Sequence, residues 1–401
     1  MRVSPPTVTQ RPETDALRSR SGDGPARRAR SPRLLRPWPW AGGPRVARPR
    51  RGLAAVAVLA AAAGSASASA RPLPRAATPA VADLARSAPF ADAVRAPAAT
   101  LPDGAFGGPY TAATGEAVNV FTSRRYAQDA TVNQRWADFL AGLAHGSELS
   151  SVTLYLAPAP EIGRLCGGDA IACYQPRSAL VVAPADDPSF ELSAEAVVTH
   201  EYGHHVAANR VNPPWRALDW GTKRWASYQE VCVGARTGAL YPGAEDAVQY
   251  SRNPGEGFAE SYRVLNERRA GLAEPPWDIV DEVLRPDDTA LARLERDVVD
   301  PWTQVTAAHY AGTFTAKGVA RRTYGASTAL DGSLRVTLRT AGARVRLDIL
   351  ATGGKRLGTA VTSAATPERT VSKTICGQRS LTVRLTRLAG AGAYSLDVSK
   401  P

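Results

Sequence analysis

The sequence predicts an α+β domain followed by a small all-β sandwich, on three observations. Between about residues 106 and 310, short β-branched runs alternate with helical segments. Beyond residue 318 the texture changes to brief alternating runs separated by glycine-containing turns. The chain has 401 residues, enough to bury two separate cores.

Each element has a local reason. AVNVF at 117–121 and SVTLYL at 151–156 read as strands, with a helix over 132–143 between them. SALVVA at 178–183 is a further strand. A helix follows it: Ser193 can cap the N-terminus, Glu195 sits where the helix dipole favours an acid, and Val197, His200, His204 and Ala207 form one stripe. Asn209 and Asn212-Pro213-Pro214 end that helix. The Trp- and Tyr-rich run at 215–228 supplies bulky core or cleft material. A linker is expected at 309–317. After it, Leu334, Val336 and Leu338, then Val345, Leu347 and Ile349, then Leu381, Val383 and Leu385, then Tyr394, Leu396 and Val398 each mark one face of a strand.

The N-terminal end reads as processing signal. RPRR at 48–51, the apolar run GLAAVAVLAAAAG and Ala68-Ser69-Ala70 form a secretory signal peptide over 46–70. That apolar run is too short to span a bilayer, so the mature chain is expected to be secreted and extracellular with no membrane span. Residues 1–45 are expected to be a non-native extension ahead of a true start at Val46, a disordered arm being the alternative. Residues 71–105, rich in Ala and Pro, read as a flexible leader or propeptide.

Charge narrows the partners. The formal net charge of +12 arises largely from residues 1–70, which hold 13 arginines against 3 acids. The remainder carries 36 basic and 34 acidic residues. On that sum neither nucleic acid nor anionic lipid is expected as a partner. The 4 cysteines all follow the signal, and an even count in an exported chain predicts two disulfides. Proximity favours Cys166 with Cys173, leaving Cys232 for Cys376; free buried thiols are the alternative.

The chemistry concentrates in VVTHEYGHHVAANR at 197–210. Residues four apart on a helix share a face, so His200 and His204 can aim imidazoles at one point, with the Glu201 carboxylate at its rim. This is an HExxH pattern, read as a metal site with Glu201 as base. His205 cannot share the point and is expected either behind the histidines or on the surface. A third ligand must come from elsewhere. Arg210 stands where a third histidine of the metzincin pattern would be, and the only methionine is Met1. QYSRNPGEGFAESYRVL at 249–265 offers Glu256 as ligand and Glu260, four later, as an outer partner hydrogen-bonding a ligand histidine. Asn253, Pro254 and Glu256 also fit a capping box with no metal.

HEYGHH, then Tyr250, then EGFAESYR resembles the catalytic domain of anthrax lethal factor and related exported zinc peptidases of the gluzincin type. The resemblance covers mainly 195–265. It implies a zincin-like catalytic domain over 106–310 with Zn2+ held by His200, His204 and Glu256, Glu201 as general base, and Tyr250 hydrogen-bonding the reacting oxygen. Tyr250 stands six residues before Glu256, where the family has seven. The closing run AGAGAYSLDV resembles the bacterial pre-peptidase C-terminal β-sandwich, implying an accessory domain over 318–401. The expected activity is zinc-dependent hydrolysis of peptide bonds in a peptide or protein substrate by a monomer. If the strand at 178–183 is a sheet edge lining the cleft, an extended peptide can pair with it. A surface-binding protein with an inactive zinc domain, and a zinc hydrolase of cell-wall amides, are the competing readings.

Overall fold

The computed structural model describes residues 100–401 other than 168–169, 189–191, 246–248, 278 and 378. The expected extension, the signal peptide and all but the last six residues of the leader lie outside the described residues. The architecture is mixed α and β, with one five-stranded sheet backed by helices and two four-stranded antiparallel sheets.

In the first part the strands are β1 (Phe106–Thr111), β2 (Ala117–Thr122), β3 (Thr153–Leu156), β4 (Cys173–Gln175) and β5 (Leu180–Ala183). Their order is β1-β2-β3-β5-β4, with β2, β3 and β5 parallel and the two outer strands antiparallel to their neighbours. LVVA is buried along its whole length because both faces of the sheet are covered, which is why it reads as a continuous apolar run. Leu154, Leu156, Val181 and Ala183 face one core, while Tyr155, Leu180 and Val182 face a second, smaller one. The strand at 178–183 is therefore internal. The edge beside it is β4, a three-residue strand too short to stand out in the sequence.

Helices α1 (Ala130–Gly142), α3 (Ala194–Ala208), α7 (Pro254–Arg269) and α8 (Asp288–Val299) contribute to the larger core, and α2 (Ala159–Cys166) to the smaller. A hairpin, β6 (Val211–Asn212) with β7 (Trp215–Arg216), and short helices α4 (Ala217–Trp220), α5 (Lys223–Tyr228) and α6 (Val231–Thr237) connect α3 to α7. Ser193 caps α3 as expected, accepting from the Ala196 N–H at 3.0 Å. The helix is buried on nearly every side, well beyond the single stripe expected, because α7 packs on it as well as the sheet.

The second part comprises β8 (Thr306–Phe314), β9 (Arg321–Gly325), β10 (Gly332–Thr340), β11 (Arg344–Ala351), β12 (Arg356–Val361), β13 (Glu368–Ile375), β14 (Leu381–Ala389) and β15 (Gly392–Lys400). Sheet β13-β10-β15-β8 faces sheet β12-β11-β14-β9. All four predicted apolar sets point into the core between them, Leu334 through Val398. The expected linker at 309–317 is mostly strand: β8 pairs with β15 along its length, from Thr306 against Lys400 to Phe314 against Gly392. Both predicted disulfides are formed, and no cysteine is free. No described helix is long and apolar enough to cross a membrane.

The sandwich is fastened to the helical part at one end. Lys223 donates to the carbonyls of Pro213 and Asp331 at 2.7 and 3.0 Å, and Arg379 donates to the Ser227 carbonyl at 2.7 Å. The Asp331 N–H donates to Ser227 Oγ at 2.9 Å, and Cys232–Cys376 adds a covalent link.

Candidate metal centre

The site begins with a close helix crossing. A side chain at Gly203, the glycine of HEYGH, would meet Ala259 Cα at 2.9 Å and Tyr262 Cβ at 3.2 Å. Glycine here and alanine opposite let α3 and α7 approach backbone to backbone. That approach lays His200 and His204, one turn apart on α3, against the first turn of α7.

Glu256 Oε2 lies 3.2 Å from His200 Nε2 and 3.3 Å from His204 Nε2. These three residues form a metal-competent group, their ligand atoms all within 4.8 Å of one another. A four-coordinate ion with bonds of about 2.0 Å holds its donors about 3.3 Å apart. The two separations from the carboxylate oxygen to the imidazole nitrogens match that spacing, and three such donors would leave a fourth position open.

Glu256 does not complete a capping box. Asn253 does cap α7, its side chain accepting from the Gly255 N–H at 2.9 Å. Its own N–H donates to the Tyr250 carbonyl at 2.9 Å, so the Glu256 carboxylate is not needed there and turns to the histidines.

Glu260 is fully buried and accepts from His200 Nδ1 at 3.1 Å, which leaves Nε2 as the nitrogen facing Glu256. Arg263 clamps Glu260 through Nε at 3.0 Å and Nη2 at 2.6 Å, and also donates to Glu267 and to the Pro276 carbonyl. Burial opposes a charge on His200, but the carboxylates of Glu256 and Glu260 outweigh it and push its pKa up to about 10. Burial likewise works against ionised Glu256, yet the two histidines hold its carboxyl well below the usual range. The buried group of His200, His204 and Glu256 could hold a metal ion.

Glu201 sits partly exposed at the rim. Desolvation raises its carboxyl, against the pull of His204, His200 and the facing backbone N–H of Tyr174 on β4. Tyr250, 36% exposed, donates its hydroxyl to Glu256 Oε2 at 2.7 Å. Burial and Glu256 push its pKa up, so the hydroxyl keeps its proton. All six residues singled out in the sequence thus lie in one place.

Of the two places expected for His205, the surface is excluded, because the residue is wholly buried. Its Nε2 lies 2.9 Å from the Glu148 carbonyl and its Nδ1 lies 3.1 Å from the Tyr174 hydroxyl. Burial lowers its pKa, so the neutral ring donates from Nε2 and accepts from Tyr174. It ties α3 to β4, the strand beside Glu201. Two contributors went unread in the sequence. Arg263, three residues after Glu260, had a local signal in its i, i+3 spacing. Tyr174 had none, since only the sheet brings it to the site.

No family model matches this chain, and no curated protein matches it. Among solved structures, it is similar to a mitogen derived from Yersinia pseudotuberculosis, at 17% identity over 24% of this chain and 87% of that one, with a TM-score of 0.20. It is also similar to the periplasmic inhibitor of g-type lysozyme from Aeromonas hydrophila, at 14% identity over 24% and 88%, with a TM-score of 0.18. A family 35 carbohydrate-binding module from Clostridium thermocellum gives 18% identity over 23% and 90%, with a TM-score of 0.16. Likenesses this slight bear on neither fold nor function.

Proposed function

We propose that this chain is an exported zinc metalloendopeptidase of the gluzincin type, with His200, His204 and Glu256 holding zinc and Glu201 acting as general base. The observation that carries the reading is the donor triangle, whose 3.2 and 3.3 Å edges match a tetrahedral zinc ion with a carboxylate at its rim. Zinc, when bound, supplies Lewis acidity and brings the pKa of water toward neutrality.

The chain's own groups do the rest. Glu201, its carboxyl raised by desolvation, takes a proton from water and passes it to the leaving amine nitrogen. Tyr250, held protonated, is the donor for an oxygen that gains negative charge in the transition state. Glu260 and Arg263 fix the His200 ring. The peptide is proposed to lie along β4, the sheet edge that replaces the strand at 178–183 in this role. Main-chain pairing there brings an extended substrate beside Glu201. Two disulfides accord with an oxidising, extracellular location. The β-sandwich is proposed as an accessory domain of the pre-peptidase C-terminal type.

The test is cleavage of a peptide library by the purified chain, with and without chelator. Cleavage is expected to stop on chelation and return with zinc. Glu201→Gln is expected to keep zinc and lose about 10²- to 10⁴-fold in turnover, because the amide preserves shape without the proton acceptor. A zinc-loaded wild type that cleaves no peptide would sink the proposal.

A further inference from the structure

The near-neutral sum over residues 71–401 conceals a segregation of charge. Residues 306–401 hold 15 Lys and Arg against 4 Asp and Glu, whereas residues 71–305 hold 21 against 30. The expectation that neither nucleic acid nor anionic lipid is a partner rests on that sum; taken separately, the sandwich is strongly cationic and the part with the metal centre is anionic.

Five of these cations stand at the end of the sandwich far from its fastening. The turns joining β8 to β9, β10 to β11 and β14 to β15 meet there: the Arg387 N–H donates to the Ala320 carbonyl at 2.7 Å, and Arg344 pairs in register with Ala389. Lys317, Arg321, Arg322, Arg344 and Arg387 stand on these turns or the strand ends beside them, and none forms an ion pair among the described residues. Arg387 Nε is buried with no partner, while its Nη1 donates to the Gly390 carbonyl at 3.3 Å. The nearby acids Glu368 and Asp397 are already engaged by Arg339.

Two aliphatic side chains project among these cations. Val319 is 61% exposed and Leu388 is 43% exposed, and the Arg387–Ala320 hydrogen bond makes their turns neighbours. A recess of about 580 Å³ opens at the same end, lined by Arg344, Ser363, Thr340 and the backbone around Gly342 and Gly390.

We propose that this end of the sandwich docks on an anionic phospholipid surface. Phosphate head groups meet the unpaired guanidiniums, with the recess beside Arg344 as the space for one of them, and Val319 and Leu388 enter the boundary between head groups and acyl chains. A soluble polyanion satisfies the arginines equally well but leaves both aliphatic side chains in water, and that difference favours the bilayer. Among the described residues of these turns, 315–320, 341–343 and 390–391, none is aromatic, so they offer no platform for stacking nucleobases.

The test is co-sedimentation of the purified chain with vesicles of phosphatidylcholine, with and without phosphatidylglycerol. Binding is expected only with phosphatidylglycerol, weakening as salt rises, and Arg321→Ala and Arg344→Ala are each expected to weaken it about fivefold. Val319→Ser combined with Leu388→Ser, which changes no charge, is expected to weaken sedimentation strongly while leaving binding to soluble polyphosphate unchanged. Equal sedimentation with both vesicle types would overturn the proposal. So would full vesicle binding by the double serine variant, which would mark a site for polyanions in general. His200→Ala, in the helical part and outside the sandwich, is expected to sediment like wild type whether or not the metal centre is catalytic.

Discussion

Arg263 shows how a single side chain reaches the metal centre without touching it. Its guanidinium holds both oxygens of Glu260, and Glu260 in turn sets the His200 ring. Replacing it by Gln removes the fork and leaves a buried carboxylate short of donors. Arg263→Gln is expected to weaken zinc affinity about 10- to 100-fold, read by competition with a chromogenic chelator, because such outer partners orient the ligand. Arg263→Lys is expected to recover part of that loss, since the charge returns without the planar fork. The ligand histidines were legible because two residues four apart must share a helical face. The role of Glu256 was not legible alone: Asn253 offers a cap in either reading, and only the bond from its N–H to the Tyr250 carbonyl shows that the carboxylate is released from capping.

At the scale of elements, the crossing of α3 and α7 depends on Gly203. A methyl group there would stand 2.9 Å from Ala259 Cα and 3.2 Å from Tyr262 Cβ, closer than van der Waals contact, so Gly203→Ala must push the helices apart. The expected cost is about 1–3 kcal/mol in denaturant unfolding of the metal-free chain. Zinc affinity is expected to fall as well, because the two histidines and Glu256 stand on opposite sides of that crossing. Unchanged zinc affinity would show that the triangle tolerates separation. The strands with clean alternation, β10, β11, β14 and β15, were readable because each buries one face. β8 was not: it is an edge strand exposed along most of its length, and its Thr, Ala and Gly residues carry no apolar stripe. β4 escaped notice for a related reason, being three residues long and only half-buried.

At the scale of the molecule, Lys223 sits buried where sandwich and helices meet, its ammonium 4.9 Å from the Trp302 ring. Burial pulls its pKa from 10.5 down to about 7, against the pull of Asp331 and Asp297. The unfolded chain binds this proton up to about 10.5 and the folded chain only up to about 7, so stability contributed by this group rises with pH across that window. Denaturant unfolding at several pH values is expected to show a flatter dependence for Lys223→Met than for wild type. An identical slope in both would remove Lys223 as its source. The charge segregation between the two halves is a molecular property of the same kind, hidden from any single sum over the chain. The link between Cys232 and Cys376 has a mechanical meaning. It closes a covalent ring spanning 144 positions of sequence, and α7 and α8 lie inside that ring while α3 lies outside it. Pulled from its two ends, the oxidised chain passes tension directly from one sulfur to the other, and reduction is expected to release about 500 Å of additional contour in a single-molecule stretch. Glu256 is thus sheltered from load, whereas His200 and His204 lie on the segment that carries it.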